Sequence, residues 1–147
     1  MDSMVYNLIL RKIDGRVREE LIPKVIEISI KYYQEPESIS DNEWNFLKRI
    51  WIVNGCGPKW CKICWFISKR LFRSGNRQTF CNIHDLGHFL GGDEFERLRQ
   101  NRWLYKHTIT DISNESIWFI DTLYYTVLAL LFLLFTNSYS YKYYNYS

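Results

Sequence analysis

Eight consecutive residues concentrate much of the chemistry available to this chain: Cys81-Asn82-Ile83-His84-Asp85-Leu86-Gly87-His88. A neutral imidazole with a pKa of about 6.5 accepts a proton at neutral pH when its second nitrogen is held by a partner. The carboxylate beside it supplies hard oxygen to a cation. On a helix, Cys81, His84 and His88 share one face, and Phe80, Ile83, Gly87 and Leu90 share the neighbouring one. Two blocks flank this stretch in order: Asn54-Gly55-Cys56-Gly57-Pro58-Lys59 before it, and Gly91-Gly92 then Arg97-Leu98-Arg99-Gln100-Asn101-Arg102 after it.

The same residues admit a different chemistry. Cys61-x2-Cys64, sixteen residues and then Cys81-x2-His84 has the spacing of a four-ligand zinc site. Three thiolates and one imidazole would make a binding module for nucleic acid or a protein partner, and would occupy His84. That reading leaves Gly-Cys-Gly-Pro and Gly-Gly unexplained, and the Cys-x2-Cys segment lacks the usual turn-forming glycine. His84 and His88 at i and i+4 form a further metal-binding pattern, without an evident third ligand. Taken singly, a helical histidine or a cysteine is more often structural, and the glycines fit ordinary turns.

Taken together, the ordered blocks resemble the phospholipase A2-like superfamily, in particular its short phage and bacterial members. Their pattern reads Gly-Cys-Gly-Pro, then Cys-x-x-His-Asp-x-x-Tyr, Gly-Gly, and Arg-x-x-Ala-Asp-x-x-Phe. The match covers about residues 53–105. The resemblance implies a calcium-dependent lipid ester hydrolase with His84 as the general base on a water, and Asp85 as the calcium carboxylate. Gly55, Gly57 and Lys59 match the loop whose carbonyls complete the calcium site. Cys56 and Cys81 match positions that some members join by a disulfide. Asn101 stands where an aspartate would hold the far nitrogen of the base, and His88 where a tyrosine would bond that aspartate. An amide still orients an imidazole but brings no full charge to an imidazolium.

These residues need helices to position them, and the patterns predict an all-α single domain. Residues 1–52 read as N-terminal helices: one over Val5–Leu21, one opened by Pro23, and one started by the Ser40/Glu43 capping box and running through Trp51. Residues 53–112 are the core, with an irregular glycine-containing loop followed by an aperiodic stretch from Lys59 to Gln78 that holds one short helical turn. A helix capped by Thr79 then carries His84 and Asp85. Gly91-Gly92 turns the chain into an antiparallel partner opened by Asp93 and Glu96, in which Phe95, Leu98, Arg102, Tyr105 and Ile109 recur at helical spacing and Asn101 sits beside that buried face. Residues 117–136 form an apolar helix, and 137–147 a mobile tail. His107 and Asp111 read as surface residues.

Composition excludes disorder: 47% of the 147 residues are apolar and 24% charged. The net charge of +3 is unevenly placed, because no acidic residue occurs between Trp44 and His84. Trp60, Lys62, Trp65, Lys69 and Arg70 fall in that basic block, in a pattern suited to a phospholipid membrane surface, and less well to nucleic acid. The apolar 117–136 segment is nearly long enough to cross a bilayer, with a buried core helix as the alternative. Four cysteines announce no disulfide framework, and the first residues do not form a signal peptide.

Overall fold

The computed structural model describes residues 3–54, 62–72, 75–115, 118–142 and 144–146. The fold is all-α. Its helices are α1 (Ser3–Ile13), α2 (Ile22–Gln34), α3 (Asp41–Arg49), α4 (Lys62–Leu71), α5 (Gly75–Leu90), α6 (Glu94–Glu115) and α7 (Phe119–Tyr139). Extended pairing among the described residues is limited to a bridge between Gly92 and Tyr146.

Two apolar clusters meet at α5. Ile9, Ile13, Val25, Ile26, Ile28, Trp44 and Leu47 from α1 to α3 pack against Ile83, Leu86 and Leu90 of α5. On the other side, Cys81 joins Ile67 and Leu71 of α4, Leu104 and Ile112 of α6, and Leu128 and Phe132 of α7. Each fully buried Leu or Ile contributes roughly 1.5–3 kcal/mol, so α5 is gripped from both sides. Gly87 lets α2 and α6 close on it: a Cβ there would lie 2.5 Å from the Tyr32 hydroxyl and 3.0 Å from the Gln100 side chain.

Several helix boundaries follow the sequence. Pro23 lies in the first turn of α2, and the Ser40–Glu43 capping box opens α3 with both of its bonds present. Asp93 Oδ1 accepts the Glu96 N–H at 2.8 Å at the start of α6. Other boundaries differ. The first helix stops at Ile13 because Gly15 turns the chain at φ 77°. α3 ends at Arg49, and Trp51 lies outside it at φ 65° with 83% of its surface exposed.

The aperiodic stretch contains a true helix, α4, whose buried positions are Cys64, Ile67, Ser68 and Leu71. Their spacing is helical, but the small Cys and Ser hid the stripe. Thr79 does not cap α5; it lies inside, its hydroxyl bonded back to the Gly75 carbonyl at 3.1 Å. The apolar face expected on α6 is displaced: Phe95 is 75% exposed, while Arg97, Asn101, Leu104, Thr108 and Ile112 are buried. Asp111 and His107 are half-buried, Asp111 paired with Arg77 at 2.9 Å and His107 stacked on Trp103 at 4.0 Å.

The described residues of the C-terminal tail are docked on the protein. Ser140–Lys142 form a 3-10 turn after α7. Asn145 then donates its N–H to the His88 carbonyl at 3.1 Å and accepts the Gly92 N–H at 3.0 Å. Tyr144 is buried, its ring edge-on to His88 at 5.0 Å. The Gly91-Gly92 turn makes room for this strap. Gly91 has φ 77°, and a Cβ there would lie 1.7 Å from the Asn145 carbonyl oxygen. Gly91→Ala should therefore lower stability by about 2 kcal/mol and make the Asn145 amide exchange rapidly. Urea unfolding with native-state hydrogen exchange checks this, and an unchanged Asn145 amide would contradict it.

Candidate functional site

The antiparallel pairing of α5 and α6 sets His84 against Asn101. His84 Nε2 and Asn101 Oδ1 are 2.7 Å apart, and both residues are buried. The amide has a defined orientation, because Asn101 Nδ2 donates to Asn137 Oδ1 at 3.0 Å and to Ser140 Oγ at 3.1 Å. With Nδ2 spent on α7 and the turn after it, Oδ1 is the atom left to face the imidazole. It accepts a hydrogen bond from Nε2–H, which leaves Nδ1 as the bare basic nitrogen in the neutral ring.

The α7 partners are themselves held. Arg97, only 4% exposed, donates to Ser140 Oγ at 2.5 Å and to the Asn137 carbonyl at 3.1 Å. It also forms a two-pronged pair with Glu94, whose carboxylate further accepts the Tyr146 hydroxyl. A buried guanidinium needs such compensation, since an unpaired buried charge costs several kcal/mol.

His88 lies one turn beyond His84, the rings 4.1 Å apart and tilted by 39°. Its Nδ1 is 2.8 Å from Gln100 Oε1, whose Nε2 donates to the Gly87 carbonyl at 3.2 Å. That fixes Oε1 as the acceptor and Nδ1–H as the donor. Nε2 of His88 is buried without a hydrogen-bond partner. His88 therefore bonds Gln100, not Asn101, and the two histidines have separate anchors on α6.

Burial dominates the acid–base behaviour of both rings. It lowers the His84 pKa from 6.5 to about 4, against a smaller opposing effect of the Asn101 bond. His88 is pushed well below its ordinary value, first by burial and then by the neighbouring His84. Both are neutral at physiological pH.

Asp85 follows His84 on α5 and is half-buried. Its Oδ2 accepts the Asn54 N–H at 3.3 Å, which brings the exit of the segment after α3 to the carboxylate. Gly55, Cys56, Gly57, Lys59, Trp60 and Cys61 lie outside the described residues. Of the surface residues expected at a lipid interface, Lys62, Trp65, Lys69 and Arg70 all lie exposed on α4.

Cys64 and Cys81 are both disulfide-bonded, and the described residues include no free cysteine. A cystine sulfur is not a thiolate donor. With His84 Nε2 committed to Asn101 as well, three of the four residues with zinc-site spacing are engaged elsewhere. Among the described residues no three His, Cys, Asp or Glu side chains converge as a metal cluster.

Asn137, Ser140 and Gln100 support the site without a signal in the sequence pattern. Asn137 and Ser140 follow the apolar run, where polar residues resemble a solvated tail. Gln100 adjoins the Asn101 motif but carried no periodic signal. No family of known proteins, no curated protein and no solved structure matches the chain.

The histidine shifts have a stability consequence with a definite sign. Below about pH 6.5 the unfolded chain takes up a proton that folded His84 refuses until about pH 4. Stability is thus full above 6.5 and falls as pH drops through this window, by roughly 3 kcal/mol from His84 alone. His88 acts in the same direction. Urea midpoints at pH 7.5 and 4.5 should show this loss, and equal midpoints would contradict neutral burial.

Proposed function

We propose that the chain is a phospholipase A2-like, calcium-dependent lipid ester hydrolase in which His84 is the general base. One observation carries the reading: the 2.7 Å bond from buried His84 to Asn101 across antiparallel helices, with the Asn101 amide oriented by Asn137 and Ser140. This is the arrangement the ordered motifs imply, with an amide in place of the carboxylate. The disulfide state of Cys64 and Cys81 favours it over a zinc module.

In this reading Nδ1 of His84 takes the proton from a water as the water attacks the ester carbonyl. Asn101 holds the ring in the tautomer that keeps Nδ1 bare, and the α7 partners hold Asn101. Calcium, when bound, supplies Lewis-acid polarisation of the ester carbonyl. Asp85 fits as its hard oxygen donor, because the carboxylate is half-buried and already accepts the Asn54 N–H. Gly55, Gly57 and Lys59 would supply the carbonyl ligands.

The amide makes His84 a weak base: the imidazolium formed during attack has no counter-charge, and burial already disfavours it. An inherently slow enzyme follows. The test is fatty-acid release from phospholipid vesicles with calcium or chelator. Wild type should release slowly, with an acid limb near pH 4. His84→Gln should abolish release, and Asp85→Asn should remove its calcium dependence. Asn101→Asp should raise the rate by about 10- to 100-fold and move the acid limb upward. Release unaffected by His84→Gln, or no release from wild type or Asn101→Asp, would overturn the proposal.

A further inference from the structure

The α7 helix turns a continuous apolar face away from the protein. Phe119, Ile120, Leu123, Tyr124, Val127, Leu130, Leu131 and Leu134 are each between 38% and 80% exposed. At 3.6 residues per turn they fall within an arc of about 140°, roughly opposite Leu128, Ala129 and Phe132, which enter the core. Soluble monomers rarely expose apolar surface so contiguously. The 24-residue stretch Phe119–Lys142 is long and apolar enough to cross a membrane, yet only 17% of its most apolar window is buried.

Two observations decide what covers this face. First, α7 is fixed to the protein along its inner side: it packs on α4 and α6, and its C-terminal end is bonded to buried Arg97 and Asn101. Crossing a bilayer would either break those bonds or drag Arg97 and its partners into hydrocarbon, at a cost of several kcal/mol. The helix is placed to lie in the interface plane. Second, α4, packed alongside α7, exposes Ile63, Trp65 and Phe66 among Lys62, Lys69 and Arg70, with no acidic residue on the helix. Lys69 lies 4.2 Å from the Trp65 ring centre and Arg70 4.9 Å from that of Phe66. Amphipathic aromatics beside cations match the headgroup region of an anionic bilayer. A symmetric dimer across this surface would bring two such cation sets together.

We propose that the outer faces of α7 and α4 dock flat on an anionic phospholipid bilayer. The apolar stripe enters the acyl boundary, and Lys62, Lys69 and Arg70 contact the headgroup charge. Docking through these faces requires no hydrolysis at His84.

The test is co-sedimentation of the full wild-type chain, in chelator so that lipid is not consumed, with phosphatidylcholine vesicles containing about one phosphatidylserine in four or none. Binding should be at least about tenfold stronger to the anionic vesicles and should be released by alkaline carbonate. Val127→Glu with Leu134→Glu should abolish binding. Lys69→Glu with Arg70→Glu should weaken it about tenfold or more. These positions are exposed, so helical circular dichroism should be unchanged, and Trp118→Phe should remove part of a lipid-induced blue shift in fluorescence. Equal or absent binding to both vesicles would overturn the proposal. So would retention after carbonate, which indicates a span, or a dimer in sedimentation equilibrium dispersed by Val127→Glu, which gives the face to a second copy.

Discussion

The hydrogen bond between His84 and Asn101 is the constraint on which the described architecture turns. It joins two buried polar side chains at 2.7 Å, and a buried polar group without a partner costs roughly 1–3 kcal/mol. Satisfying Asn101 requires α6 to present it at one register only. Satisfying its other end requires Asn137 and Ser140 at the end of α7, and they in turn compensate Arg97. A chain of mutual dependence thus runs from α5 through α6 to the C-terminal strap. Polar networks of this kind specify one arrangement because a partial one is worse than none.

That dependence explains why α7 is both a core element and a surface element. Its inner residues complete the second apolar cluster, and its final turn orients the amide behind His84. Its outer face is left bare. Attachment of that face to a bilayer would leave the inner contacts intact, so interfacial docking and a preorganised histidine are compatible in one helix. Burial, which lowers the His84 pKa, and the amide, which brings no counter-charge, together set the histidine as a weak base held in a defined tautomer.

Much of this was legible in the sequence where local chemistry is decisive. The Ser40–Glu43 capping box, Pro23 in the first turn of α2, and the Gly91-Gly92 turn between antiparallel helices all follow from backbone requirements. The facing of His84 and Asn101 followed from the ordered motifs. Illegible features were those in which tertiary context overrode pattern. Arg97 and Asn101 occupy core positions that apolar periodicity assigns to Phe95 and Leu98. Cys64 and Ser68 disguised α4. The strap from Tyr144 to Tyr146 has no local signature, because its order comes from the His88 carbonyl, Gly92 and Glu94, all distant in the chain.

Nitrogen-15 NMR of the tautomer and titration of His84, with His84→Gln providing the assignment, tests the held neutral histidine most directly. The ring should be neutral, with its proton on Nε2 and a bare Nδ1 that stays unprotonated until about pH 4. A ring that carries its proton on Nδ1, or that is protonated at pH 6.5, would contradict it.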